Sequence, residues 1–439
     1  MSPVQTSDQD ASSIAEAIRL GKASARSVVE EAIGRICLFE DKVQAFAHHE
    51  GTLMRSQTNR IDRGEIAGPL AGVPIGIKDI FDTFDLPTEF NSPIYAGNQP
   101  AYDACVVDVL RRAGAIIAGK TGTAEFAFMH TGPTPNPHDL ARTPGSSSAG
   151  SAAGVAAGFF QVALGTQTAG SLIKPAAYCG VFAFKPSFGL APLQGVKALA
   201  PSFDTVGWFG RSARDLGLMA RVILPHLRPR PSSGALRLGV CRTSRWHLLA
   251  ADVAARFETA IAALIAAGHD IVEIDFPIDL DAALRDHQTI NDREGARSLA
   301  AEYQRRPDQL SMELLAMFSR AAALSWSDEF AARTRMQRST YSVDEALSSF
   351  DAILGISCPV VAPLGLKATG SSDFIKSWTS FGLPQANIPL LAASGELTVG
   401  LQVIGRRFDD ANVLKCVESI ASSVGDHSSR LLKKSRVWL

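Results

Sequence analysis

Thr143-Pro-Gly-Ser-Ser-Ser-Ala-Gly-Ser-Ala-Ala-Gly154 and Thr166-Gln-Thr-Ala-Gly-Ser-Leu-Ile-Lys-Pro175 are the two runs on which the fold turns. Both are crowded with Gly, Ser, Ala and Pro, and residues 133–171 share that texture. Taken alone, such composition reads as a flexible linker. A linker is solvated, however, and Val155, Phe159, Phe160, Val162 and Leu164 stand between the two runs. Small residues beside bulky apolar ones predict a tightly packed backbone in a core. The reading is an Ala/Gly helix and a short strand flanked by two Ser/Gly turns.

Outward from there the chain alternates strands and helices. Gly72-Val-Pro-Ile-Gly-Ile77 is short, apolar and β-branched, and reads as a buried strand. A helical stripe at Val28, Val29, Ala32, Ile33 and Ile36 predicts a helix over 25–39 with Ser24 as its cap. A second stripe, at Val106, Val107 and Leu110, ends at Gly114, and Ala115-Ile-Ile-Ala118 returns as a strand. This β–α–β rhythm implies a mainly parallel sheet covered by helices on both faces. Residues 211–349 are helix-rich, with strands at 236–240 and 270–274, and strands return at 352–354, 386–389 and 399–404 before a last helix over 410–424. No internal repeat is evident. The expected architecture is one α/β domain over 1–439 with a mixed sheet. Its catalytic core is 65–210, a helical excursion over 211–349 lines the substrate pocket, and 350–425 returns to the sheet.

The bulk numbers bound the function. The chain has 439 residues, a formal net charge of −1 and 46% hydrophobic residues. Near-zero charge argues against a dedicated nucleic-acid or membrane-surface binder. MSPVQTSDQD shows no basic region followed by an apolar one, so no signal peptide is read there. The longest apolar stretch, Ala152 to Phe160, is half a membrane span. The six cysteines are scattered and form no CxxC pair, the usage of a reduced cytoplasmic protein. There is no GxSxG, no GxxxxGK[ST], no strand-linked GxGxxG and no HExxH. No metal or cofactor is therefore expected, and no Ser–His pair is indicated.

What remains is a serine in an unusual turn. Ser171 follows small residues whose consecutive N–H groups could converge on one spot, which suits an oxyanion. A serine alone is a poor nucleophile and needs a base. With no placed histidine, Lys78 at the end of the apolar strand is the remaining choice. Burial there favours the neutral amine.

These segments resemble the amidase signature family. The family's GGSSGGS stretch is similar to Gly145–Ser151, its GGSIRxPA motif to Ala169–Ala176, and its GxPxxxKD strand to Gly72, Pro74, Lys78 and Asp79. Asp103 to Phe126 and the C-terminal GLQVIG, Gly400–Gly405, are similar too. The resemblance implies an acyl-enzyme mechanism for hydrolysis of an amide C–N bond. In it Ser171 is the nucleophile, Ser147 the relay and Lys78 the base. The family's spacing of 24 positions between relay and nucleophile selects Ser147. It also implies a cis peptide bond before Ser147, an oxyanion hole from the N–H groups of Thr168, Ala169, Gly170 and Ser171, and a supporting hydroxyl at Ser148.

Four positions depart from the family pattern. Ser146 and Ala169 replace glycines, Gln167 stands where many members have an acid, and Lys174 stands where most have arginine. Gln167 with Pro175–Gly180 resembles a malonamidase-like branch, which implies that Lys174 binds a substrate carboxylate. A structural ion pair is the competing role for Lys174, and a structural hydroxyl the competing role for Ser148. Pocket walls are expected from the excursion and from loops near Phe81, Phe128 and Trp378. The expected partner is a small-molecule amide, with no nucleic acid and no membrane, and a homodimer is left open. The alternatives are the glutaminase subunit of a tRNA-dependent amidotransferase, which needs partner subunits, and a catalytically silent scaffold. Retention of all three triad residues argues against the scaffold.

Overall fold

The short β-branched runs become strands. The computed structural model describes residues 9–228, 234–276, 278–390 and 397–425. Most of the polar N-terminal stretch therefore lies outside the described residues. The strands are β1 (Phe46–His48), β2 (Pro74–Lys78), β3 (Ile116–Thr121), β4 (Val162–Gln167), β5 (Phe182–Lys185) and β6 (Thr205–Gly210). They continue with β7 (Arg237–Val240), β8 (Asp270–Glu273), β9 (Ala352–Ile356), β10 (Gln385–Leu390) and β11 (Val399–Ile404). All belong to one sheet of order β1-β3-β2-β4-β6-β5-β10-β11-β9-β7-β8.

The sheet is mixed, as the sequence implies, but it is not mainly parallel. Parallel pairs lie at two places, β3-β2-β4 and β9-β7-β8. Between them β4-β6-β5-β10-β11-β9 is antiparallel throughout, as is the edge pair β1-β3. For the β10-β11 pair the physical reason is loop length. The connection between β10 and β11 is too short for the helical crossover that a parallel pair needs, which takes a dozen residues or more.

Helices cover both faces. On one, Ala25–Val43, Ala149–Ala157 and Ile173–Cys179 bury Val29, Ile36, Val155 and Ile173 against Ala163 and Phe209. Ser24 caps the first of these helices by accepting from Ser27 N, as its position predicts. On the other face Cys105–Arg112, Ala213–Ile223 and Asp410–Val424 pack Leu110, Leu216 and Val417 against Leu164, Val206 and Leu401. The excursion is helical mainly over Leu280–Leu347, since β7, β8 and the Ala251–Ala266 helix within 211–349 extend the main sheet. Phe81 is fully buried in the core, and Trp378 packs on Phe276 and Phe381. Among the described residues no helix is long and apolar enough to cross a membrane.

The Gly/Ser run is core, not linker. Every residue from Gly150 to Leu164 is buried. At Gly150 an added Cβ would land on the Ala45 carbonyl oxygen and the Gly122 amide nitrogen, both backbone atoms that cannot rotate away. Overpacking of this kind typically costs about 1–3 kcal/mol or more. Gly150→Ala is therefore expected to lower stability by at least about 2 kcal/mol in chemical denaturation. A loss under about 0.5 kcal/mol, the range of a neutral surface change, would show that the run is loosely packed.

Candidate active site

Lys78 closes β2 with its side chain fully buried. Its Nζ donates to Ser147 Oγ at 2.8 Å and to Thr166 Oγ1 at 2.9 Å. Burial lowers its pKa to about 7, opposed by the negative charge of Asp204. A shifted lysine is not by itself distinctive here. Lys185 falls to about 7 and Lys174 to about 8, in both cases chiefly by burial. What singles out Lys78 is its company. Lys120 is paired with Asp79 at 3.0 Å, and Lys185 donates to Pro186 O, whereas among the described residues Lys78 bonds only hydroxyls. A neutral amine beside a serine hydroxyl can take its proton.

Gly145 turns the chain into this site at φ +124°, where a Cβ would press on Pro175 Cα at 2.7 Å. The next three serines divide their contacts. Ser146 Oγ lies 3.0 Å from Ser171 Oγ, Ser147 faces Lys78, and Ser148 Oγ donates to Thr166 O at 3.2 Å. Ser148 thus holds the backbone of the residue that bonds Lys78, the structural role weighed above. The expected cis bond before Ser147 is absent: the peptide bonds of the described residues are trans, the form that costs no isomerisation energy.

The nucleophile turn follows β4. Gln167 Oε1 accepts from Leu172 N and Ile173 N, both at 3.0 Å, and Gln167 Nε2 donates to Thr379 Oγ1 at 2.9 Å. Thr379 Oγ1 in turn donates to Ala169 O at 2.7 Å. The amide oxygen does what a carboxylate would do for the two N–H groups, and its NH₂ adds a donor an acid lacks. Ala169 does not adopt positive φ, so its methyl group is unstrained. The N–H groups of Ala169, Gly170 and Ser171 have no acceptor among the described residues. Three adjacent free donors beside a serine Oγ can receive a developing oxyanion.

Four supporting residues were not singled out by the sequence. Thr166 bonds Lys78. Asp204, buried, accepts from Thr168 Oγ1 at 2.6 Å and from Leu199 N and Ala200 N. Burial raises its pKa to about 6. His287, from the excursion, donates Nε2–H to Thr168 O at 2.9 Å and stacks on Phe203. Burial pushes its pKa down to about 3, so it is neutral. Thr379 is the fourth. Lys174 is 2% exposed, and its Nζ donates to Gly370 O at 2.8 Å. Among the described residues no group of three or more His, Cys, Asp or Glu is placed to hold a metal ion.

Lys78 works as a base only when neutral. Since its folded pKa lies near 7, kcat/KM for amide hydrolysis is expected to fall about tenfold per pH unit below that value and to level off above it. Asp204 favours the protonated form, so Asp204→Asn should move the limb to lower pH. A pH–rate series on the two proteins checks this, and a limb that moves upward contradicts the arrangement.

Three comparisons bear on this geometry. A family model described as Amidase matches residues 27–414. The chain is 32% identical to a subunit of the glutamyl-tRNA(Gln) amidotransferase of Carboxydothermus hydrogenoformans, over 96% of this chain and 98% of that one. A solved structure of an amidase superposes with a TM-score of 0.87 at 27% identity, covering 95% of this chain and all of the other. The structure of 6-aminohexanoate cyclic dimer hydrolase with substrate superposes at 0.85 and 25% identity, covering 95% and 97%.

Proposed function

The chain belongs to the amidase signature family and is an amide hydrolase, and on that premise we propose that it cleaves the C–N bond of a small amide through an acyl-serine and releases ammonia or an amine. The observation that carries this is the hydrogen bond of Lys78 Nζ to Ser147 Oγ, beside the Ser146–Ser171 contact and the free N–H groups of the turn. In the proposed reaction Ser171 Oγ attacks the amide carbon, and its proton passes by way of Ser147 to neutral Lys78. The N–H groups of Thr168–Ser171 hold the oxyanion. The same proton then goes to the departing nitrogen, because an amine leaves poorly as an anion. Water repeats the cycle on the acyl-enzyme.

Two finer readings stand on different observations. The glutaminase subunit of a tRNA-dependent amidotransferase is favoured by the relatives named as glutamyl-tRNA(Gln) amidotransferase subunits, which match nearly end to end. A free-standing amidase is favoured by the superposition on an amidase and on a cyclic dimer hydrolase. The first has the better sequence support. Relatives named as amidotransferase subunits do not single out a malonamidase-like branch, and what is left of that reading is one proposal. Lys174 spends one of its three N–H bonds on Gly370 O and offers the others to a substrate carboxylate.

Ammonia release by the purified protein without partners separates these readings, with glutamine, asparagine and simple alkyl amides as substrates. Preference for glutamine, at a rate raised by amidotransferase partner subunits, supports the amidotransferase reading. Equal or faster turnover of simple amides without partners supports the free-standing one. Failure to hydrolyse any amide, with or without partners, overturns the proposed reaction.

A further inference from the structure

Lys376 is a cation without a counter-ion beside the nucleophile turn. It sits on the Asp373–Ser380 helix, one face of which abuts that turn. A Cβ on Gly170 would lie 2.8 Å from Ser372 Oγ and 3.4 Å from Ile375 Cδ1. Thr379 on the same helix holds Ala169 O. Position 376 lies one turn after Ser372 and three residues before Thr379, so it belongs to this face. Its charge is felt on both sides of the turn. It helps keep His287, which bonds Thr168 O, neutral, and it helps lower Lys174, in both cases after burial itself.

The neighbouring acids are already engaged. Asp373 pairs with Arg245 at 2.9 Å and Asp292 with Arg320 at 2.7 Å. Lys376 Nζ has no hydrogen bond or ion pair among the described residues, and the side chain is only partly exposed. Partial burial of an unpaired ammonium costs free energy that stem packing alone does not explain. Such a group on the helix that abuts the nucleophile turn is the kind of feature that binding sites retain.

We propose that Lys376 is a specificity-determining residue that holds a carboxylate on the substrate, so that the preferred amides are those carrying an anionic end. This deepens the amide-hydrolase reading and rests on it. An ammonium–carboxylate contact of this kind is worth about 10- to 100-fold in affinity. The reaction itself is unchanged: the carboxylate is held, not transformed, while the amide carbon sits at Ser171.

The test uses Ser171→Ala protein, which binds substrate without turning it over, and compares succinamate with neutral succinamide by calorimetry. Succinamate should bind about 10- to 100-fold tighter. Adding Lys376→Met, which keeps the apolar stem, should remove most of that preference, leaving only what Lys174 supplies, while succinamide affinity stays within threefold. Lys376→Arg should restore most of it. Equal affinities in Ser171→Ala protein, no binding of either amide, or a Lys376→Met loss that falls on both ligands alike would overturn the proposal. Because binding is read without catalysis, a preference seen here with no hydrolysis by wild type would uphold the anchor and sink the hydrolytic reading instead.

Discussion

Ser171→Ala is expected to lower kcat for amide hydrolysis on the order of 10⁶, because loss of the nucleophile from a cooperating unit removes nearly all that the unit contributes. The fold should hardly notice. Among the described residues Ser171 Oγ has one hydrogen bond, to Ser146 at 3.0 Å, and a single neutral bond is worth about 1 kcal/mol. Folding stability in denaturant should therefore stay within about that range of wild type. Steady-state ammonia release measures the first quantity. Activity within tenfold of wild type would remove Ser171 from the mechanism.

The next largest effect belongs to Ser147→Ala. Ser147 Oγ is the serine hydroxyl that Lys78 Nζ reaches, and its removal leaves the amine with Thr166 alone. The expected loss is on the order of 10⁴ in kcat, the size found when a supporting member of a catalytic unit is deleted. Its control is Ser146→Gly, which restores the residue that the resembling family has there. Ser146 touches the nucleophile but not the lysine, so kcat should stay within tenfold. The opposite order, with Ser146→Gly the more damaging, would make Ser146 the proton relay and Ser147 a prop for Lys78.

Much of this site was legible because it lies in contiguous motifs. Lys78 could be read as buried because the run Val73–Ile77 before it is apolar enough to be a central strand, and the structure leaves all five residues of β2 without exposure. The Gly/Ser run declared itself as core through Phe159 and Phe160, which pack where a linker would have water. Ser147 was chosen over Ser146 and Ser148 only by register with a family. The local pattern of three adjacent serines cannot assign their directions.

The rest was hidden for a common reason. Asp204, His287, Thr379 and Lys376 are single polar residues contributed by segments far apart in the chain, and no periodicity marks them. Thr166 stood within a quoted motif but had no role until β4 was seen beside β2. The parallel expectation failed in the centre of the sheet for a different cause. The opening β–α–β rhythm was extended past residue 180, although the short connection between β10 and β11 is itself an antiparallel signal.

Ser171 as the acylated residue, its attack driven by neutral Lys78, is what the mechanism stands on. Labelling with a fluorophosphonate, followed by peptide mass spectrometry, tests it most directly. One adduct is expected, on the peptide containing Ser171, forming faster as pH rises through about 7, slowed by an amide substrate and lost in Lys78→Met. An adduct on Ser146 or Ser147, or none on protein that is folded, would contradict it.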